Sequence, residues 1–221
     1  MTEDQRSAEQ FAALSALPAL VHGFTLRVPG IEMSHDKAEA LARLDGVHRA
    51  IRSEYGVGSA PFITAQQVHG KGIGVVDSAA SGGKCFDECD GLITNVPGVC
   101  LGIYVADCCA VYLVDPVKRV IGLVHSGKKG TELGIVAEAI DAMSANYGSR
   151  PSDLVVQLSP CIRPPHYEID FAADIVRQGR EAGVNAVSDC GACTACDLER
   201  YYSYRAEKGR TGRMLAFLAL F

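Results

Sequence analysis

The chain contains no tryptophan, only six histidines, and no apolar run near the ~20 residues that a bilayer span requires. A membrane partner is therefore not expected. An excess of basic residues is missing as well. Lysine and arginine total 21 against 26 acidic residues, and the net charge of −5 leaves no electrostatic footprint for nucleic acid or an anionic membrane. The amino terminus, MTEDQRSAEQFAAL, lacks the cationic segment of a signal peptide, so a reducing, cytoplasmic setting is expected. In that setting the nine cysteines, an odd number, read as thiols or metal ligands and not as a disulfide framework. Repeats, low-complexity tracts and Pro/Ser-rich linkers are also lacking. Residues 1–221 are expected to form a single domain.

What the chain does contain is a succession of short apolar runs between helical stretches. Residues 20–26, 62–68, 72–77, 90–94 and 154–158 read as strands, and residues 7–16 as a short helix. The stretch from His35 to Tyr55 carries Ala38, Leu41, Leu44, Val47, His48 and Ile51 at helical spacing, with Ser34 as its N-cap. Further helices are expected over 131–147 and 170–182, and the apolar tail after Gly212 reads as a strand or short helix. Short strands interleaved with three helices indicate a mixed-sheet domain, α/β or α+β.

Residues 101–130 carry the chemistry. VYLVD and VIGLVH read as two buried strands joined by a turn at Pro116-Val117-Lys118. A hairpin turned there brings Cys108 and His125 side by side, and a thiolate touching an imidazole makes a metal site or a Cys-His dyad. His69, at the end of a strand and before Gly70, supplies a third donor. Cys with two His is one ligand set of an open catalytic zinc site. Asp107 adjoins Cys108 and reads as a ligand-orienting group, a general base or a simple strand-end cap. Cys109 points to the opposite face and reads as core. Gly127-Lys128-Lys129-Gly130 opens a helix and suits an anion such as phosphate, or is a solvated basic turn. Cys190, Cys193 and Cys196 have the C-x2-C-x2-C spacing of metal ligands but no obvious fourth partner. Tyr201, Tyr202 and Tyr204 with Arg205, Arg210 and Arg213 line either a pocket for a planar ligand or a covered aromatic edge.

In order along the chain stand HGFTLR, QQVHG, DGLIT-x2-PG, ADC, VHSGKKGT-x2-GI, SPCI-x4-YE and CT-x6-YYSYR-x5-TGRM. This ordered set resembles the laccase-domain family, whose members are known either as multicopper polyphenol oxidases or as bacterial purine nucleoside phosphorylases. The resemblance spans roughly residues 20–220. It implies an α+β fold of layered mixed sheets flanked by helices, like the catalytic domain of cytotoxic necrotizing factor toxins. It also implies one zinc per chain on His69, Cys108 and His125. The implied activity is phosphate-dependent cleavage of adenosine, inosine, guanosine or methylthioadenosine, with adenosine deamination beside it. Arg27, Gln67 and Arg205 would take pocket roles. The chain departs from the pattern at Lys128-Lys129, where the family has Trp-Arg, so the bidentate guanidinium fork and the indole wall are both missing there.

One rival reading stays open, and a second is physically poor. A thiol hydrolase or deamidase would use Cys108 as nucleophile and His125 as base. A copper polyphenol oxidase would need many imidazoles, typically from His-x-His pairs, and this chain has none.

Overall fold

The computed structural model describes residues 7–221. The hairpin around residue 117 is present: β8 (Cys109–Asp115) and β9 (Val120–Ser126) run antiparallel, and every residue of both is buried. Burial on two faces is why their sequences are continuous apolar runs and not alternating ones. Side-chain parity then decides what each residue touches. Ala110, Tyr112, Val114, Ile121 and Leu123 enter the core between two sheets, whereas Cys109, Val111, Leu113, Val120 and Val124 face helices.

These strands form the centre of a sheet ordered β11 (Ala186–Asp189), β10 (Val155–Leu158), β8, β9, β6 (Gly91–Thr94), β4 (Ile73–Val76). The second sheet is ordered β1 (Ala8–Glu9), β2 (Leu20–Thr25), β12 (Met214–Leu220), β7 (Cys100–Val105), β3 (Phe62–Ala65), β5 (Cys85–Phe86). Both mix parallel and antiparallel pairs. Helices α4 (Ile135–Tyr147) and α5 (Phe171–Glu181) cover the outer face of the first sheet, and α2 (Lys37–Glu54) covers that of the second. The result is an α+β architecture of two stacked sheets between helices, as expected. Tyr112 ties the sheets together, its hydroxyl donating to the Gly23 carbonyl of β2 at 2.8 Å.

Several local expectations need correction. Helix 7–16 shrinks to α1 (Ala12–Ser15), because Ala8–Glu9 pairs with Phe24 and Thr25 as an edge strand. The cap of α2 is Asp36, whose carboxylate accepts the Glu39 amide at 2.8 Å; Ser34 instead bonds the Glu39 carboxylate. The helix expected over 131–147 is broken by Gly134 at φ 75° into α3 (Lys128–Glu132) and α4. The tail is a strand, β12, paired on both sides and fully buried. Strand β11 had no apolar run to announce it, since it is a partly exposed edge.

Two histidines in this frame are structural. His22 and His48 are 1% and 2% exposed, and burial pushes both imidazoles down to about 4. The Phe11 amide also donates to His22 Nε2 at 2.8 Å, which occupies the lone pair that a proton would take. Unfolding restores their ordinary affinity, so the unfolded chain binds more protons between about pH 6.5 and 4. Stability should be full above that window and fall as pH drops through it. Urea unfolding at pH 7.5 and 5 tests this, with a clearly lower midpoint expected at pH 5.

Candidate functional site

Where β3 ends, the chain leaves the sheet through Gln67 and His69, both at positive φ, 63° and 60°. Such backbone costs on the order of 1 kcal/mol or more per residue and persists only where neighbours enforce it. The enforcing group is Asp90, fully buried just before β6. Its carboxylate accepts the amides of Val68, His69 and Gly70 at 3.1, 2.8 and 2.8 Å. It also accepts Nδ1–H of His125 at 2.8 Å, which assigns the tautomer because a carboxylate only accepts. One buried anion thus fixes the His69 loop and the His125 ring together. Gln67 adds a second clamp, exchanging side-chain amide bonds with the Tyr104 backbone at 2.6 and 3.0 Å.

Cys108 arrives from another direction. The chain crosses from β7 to β8 through Asp107, at φ 83°. The register pairs Ala110, not Cys108, with His125, so the thiol reaches the imidazole diagonally from just outside the ladder. Gly127 makes room for it: a Cβ there would stand 2.5 Å from Cys108 Sγ. The donor atoms of His69, Cys108 and His125 lie within 4.8 Å of one another, and the two rings meet edge to face with centroids 4.8 Å apart. Among the described residues this is the grouping of histidine, cysteine and carboxylate donors able to hold a metal ion.

The electrostatics are those of an ion pair. Burial pushes the Cys108 thiol up, but His125 and His69 outweigh it and bring the thiol down to about 6. Burial likewise opposes a charged His125, while the Cys108 thiolate and Asp90 raise it to about 9. Thiolate and imidazolium coexist between these values. A bound metal would be held by His69, Cys108 and His125 and would compete with the His125 proton, while Asp90 orients the His125 ring. Two imidazoles, one of them exposed, and one thiolate within 4.8 Å of one another are a donor set that suits a divalent transition metal. The residues fit a metal.

This triad lies on the wall of a cavity of about 500 Å3, within the range of small-molecule sites. Of the other residues singled out in the sequence, Gln67, Asp107, Lys128 and Arg205 line it too. Asp107 is held by Thr194 Oγ1 at 2.8 Å and the Arg205 amide at 2.7 Å. Arg27 and Lys129 are not on the wall. Arg27 is locked elsewhere, paired with Glu207, 4.7 Å over the Tyr202 ring and bonded to the Tyr201 carbonyl, and Lys129 points to solvent. Among the described residues the three spaced cysteines do not form a three-donor group: the Cys193 and Cys196 thiols meet, but Cys190 does not join them. Cys109 is core, as expected. Missing from the sequence reading are Asp90 and Lys37. The signals for Asp90 were a lone acid before a buried strand and its place at the head of the DGLIT motif.

Two outcomes follow from this geometry. In chelator-treated protein, alkylation of Cys108 should show a midpoint near pH 6, against about 8.5 for a free thiol, and His125→Ala should raise it. Gly127→Ala should lower metal retention about tenfold or more with the circular dichroism unchanged, since the new methyl displaces the sulfur.

The family model for multi-copper polyphenol oxidoreductase laccases matches residues 30–176 and 168–221. A purine nucleoside phosphorylase of Deinococcus radiodurans is 33% identical, over 91% of this chain and 90% of its own. Purine nucleoside phosphorylase YlmD of Geobacillus stearothermophilus is 29% identical over 71% of each chain. The crystal structure of YlmD from that organism superposes with a TM-score of 0.81 at 23% identity, covering 97% of this chain and 99% of its own. The motif order, the fold and these matches agree, and the chain belongs to the multi-copper polyphenol oxidoreductase laccase family.

Proposed function

We propose that this protein is a zinc-dependent purine nucleoside phosphorylase that also deaminates adenosine. The observation that carries the reading is the convergence of His69, Cys108 and His125 on one cavity, in a chain whose relatives are named purine nucleoside phosphorylases. Adenosine, inosine, guanosine and methylthioadenosine are the candidate nucleosides. Bound zinc would supply Lewis acidity at the cavity wall.

The chain's own residues do the rest. Tyr167 and Tyr204 offer ring faces to a purine, with the Arg205 guanidinium 4.8 Å over the Tyr167 ring and joined to Glu168 at 3.2 Å. Asp107, oriented by Thr194 and the Arg205 amide, accepts a proton from the reacting groups. Asp90 keeps His125 in one tautomer and one orientation. Gln67 holds the His69 loop against β7. Copper in place of zinc is disfavoured by the donor set. Two imidazoles and one thiolate converge, while His22 and His48 are buried apart from them, too few for a trinuclear centre.

One observation favours a second reading. Cys108, His125 and Asp90 form a nucleophile, base and orienting acid in series, the arrangement of a thiol hydrolase or deamidase. Metal content and nucleoside assays separate the two. Purified protein should hold about one zinc per chain, and form adenine from adenosine only with phosphate present and inosine without it. Cys108→Ala should remove the metal and both activities. A metal-free protein whose Cys108 alkylates readily would favour the hydrolase.

A further inference from the structure

Four lysine and arginine side chains stand on the cavity wall: Lys37, Lys128, Arg205 and Arg213. They divide into two kinds. Lys128 and Arg205 share the Glu168 carboxylate, at 3.9 and 3.2 Å. Lys37 and Arg213 have no carboxylate within ion-pair distance among the described residues. Lys37 Nζ donates to the Gln66 carbonyl at 3.3 Å, and Arg213 Nη1 to the carbonyls of Thr211 and Gly212 at 3.1 and 2.8 Å. Of the anionic groups whose fields reach them, the Cys108 thiolate belongs to the cluster with His69 and His125, and the three carboxylates are engaged elsewhere. Asp90 holds four donors, Asp107 is bound by Thr194 and Arg205, and Glu207 is bound by Arg27, Thr211 and Ser203.

Two half-buried cations on one cavity wall, neither paired with a carboxylate and only Arg213 lying over a ring, that of Tyr204 at 5.7 Å, are an incompletely compensated arrangement. Burial and the Arg213 charge hold the Lys37 ammonium below its usual range, and burial lowers Arg213 in the same way. A planar guanidinium and a point-charge ammonium on one cavity wall match the donors that recognise phosphate. The short helix α3, where the basic turn sits, has only Lys128 on the wall, and that lysine already has a carboxylate beside it.

We propose that Lys37 and Arg213 form a subsite for a phosphoryl dianion, on the same cavity as the His69, Cys108 and His125 cluster. For its chemical role the inference rests on the phosphorylase reading; for its existence it rests on the unpaired charges alone. The dianion is either free orthophosphate or a phosphoryl group carried by the substrate.

Calorimetric titration of the metal-loaded protein distinguishes these sources, with orthophosphate in one arm and adenosine 5′-monophosphate against adenosine in the other. Wild type should bind orthophosphate, or bind the monophosphate more tightly than adenosine. Lys37→Met should weaken that binding about tenfold or more, as expected for losing a charged hydrogen-bond donor. Arg213→Lys, which keeps the charge and loses the fork, should weaken it by a smaller factor. Lys118→Met, an exposed lysine in the β8–β9 turn, should leave it unchanged. In turnover, Lys37→Met should raise the KM for the phosphoryl ligand while the KM for nucleoside stays within about twofold. Unchanged anion binding in both Lys37→Met and Arg213→Lys would overturn the subsite. Anion binding lost in Lys37→Met, from a wild type that cleaves no nucleoside, would keep the subsite and reject the phosphorylase reading.

Discussion

The carboxylate of Asp90 is the constraint on which the site depends. It sits fully buried and is neutralised by three successive amides of the 68–70 loop and by the His125 ring. Burial raises its affinity for a proton, yet these donors outweigh that and keep the acid below its usual range. Ionised at neutral pH, it can only accept, and this dictates which nitrogen of His125 is left for chemistry. It also holds His69 in a left-handed conformation that the residue would not adopt alone. Removing that charge would release both histidines at once.

The three donors reach the site from different parts of the fold, which is why two stacked sheets are needed to build it. His69 follows β3 of one sheet, and His125 closes β9 of the other. Cys108 lies on the crossing from β7 to β8, between the sheets. Positive φ at Gln67, His69 and Asp107 marks the places where the chain turns out of regular structure to deliver them. The strain is local and is held by Asp90, by the Gln67 clamp on Tyr104, and by Thr194 and Arg205 on Asp107. Lys37 and Arg213 stand on the wall of the same cavity with no carboxylate at ion-pair distance among the described residues.

Much of this was legible in the chain itself because the relevant signals are local. The hairpin, with its fully buried strands and short turn, brought Cys108 and His125 together on paper, although the true register pairs His125 with Ala110. Ser34 and Asp36 compete for the same cap two residues apart, and propensity alone does not choose between them. Asp90 went unrecognised because its partners lie 20 to 35 residues away. Lys37 went unrecognised because it opens an ordinary surface helix. Lys129 stands next to Lys128 of the site in sequence, and both Arg27 and Lys129 lie outside its cavity. Arg27 is captured by Glu207, and Lys129 is exposed to solvent.

The central claim is that Asp90 presents His69, Cys108 and His125 to one zinc ion. X-ray absorption at the zinc edge of the purified protein tests it most directly. The account predicts one sulfur at about 2.3 Å, two imidazole nitrogens at about 2.0–2.1 Å and one further light atom. In Asp90→Asn the imidazole signal should weaken while the sulfur stays. A zinc shell without sulfur, or with several sulfurs from the 190–196 cysteines, would contradict the account.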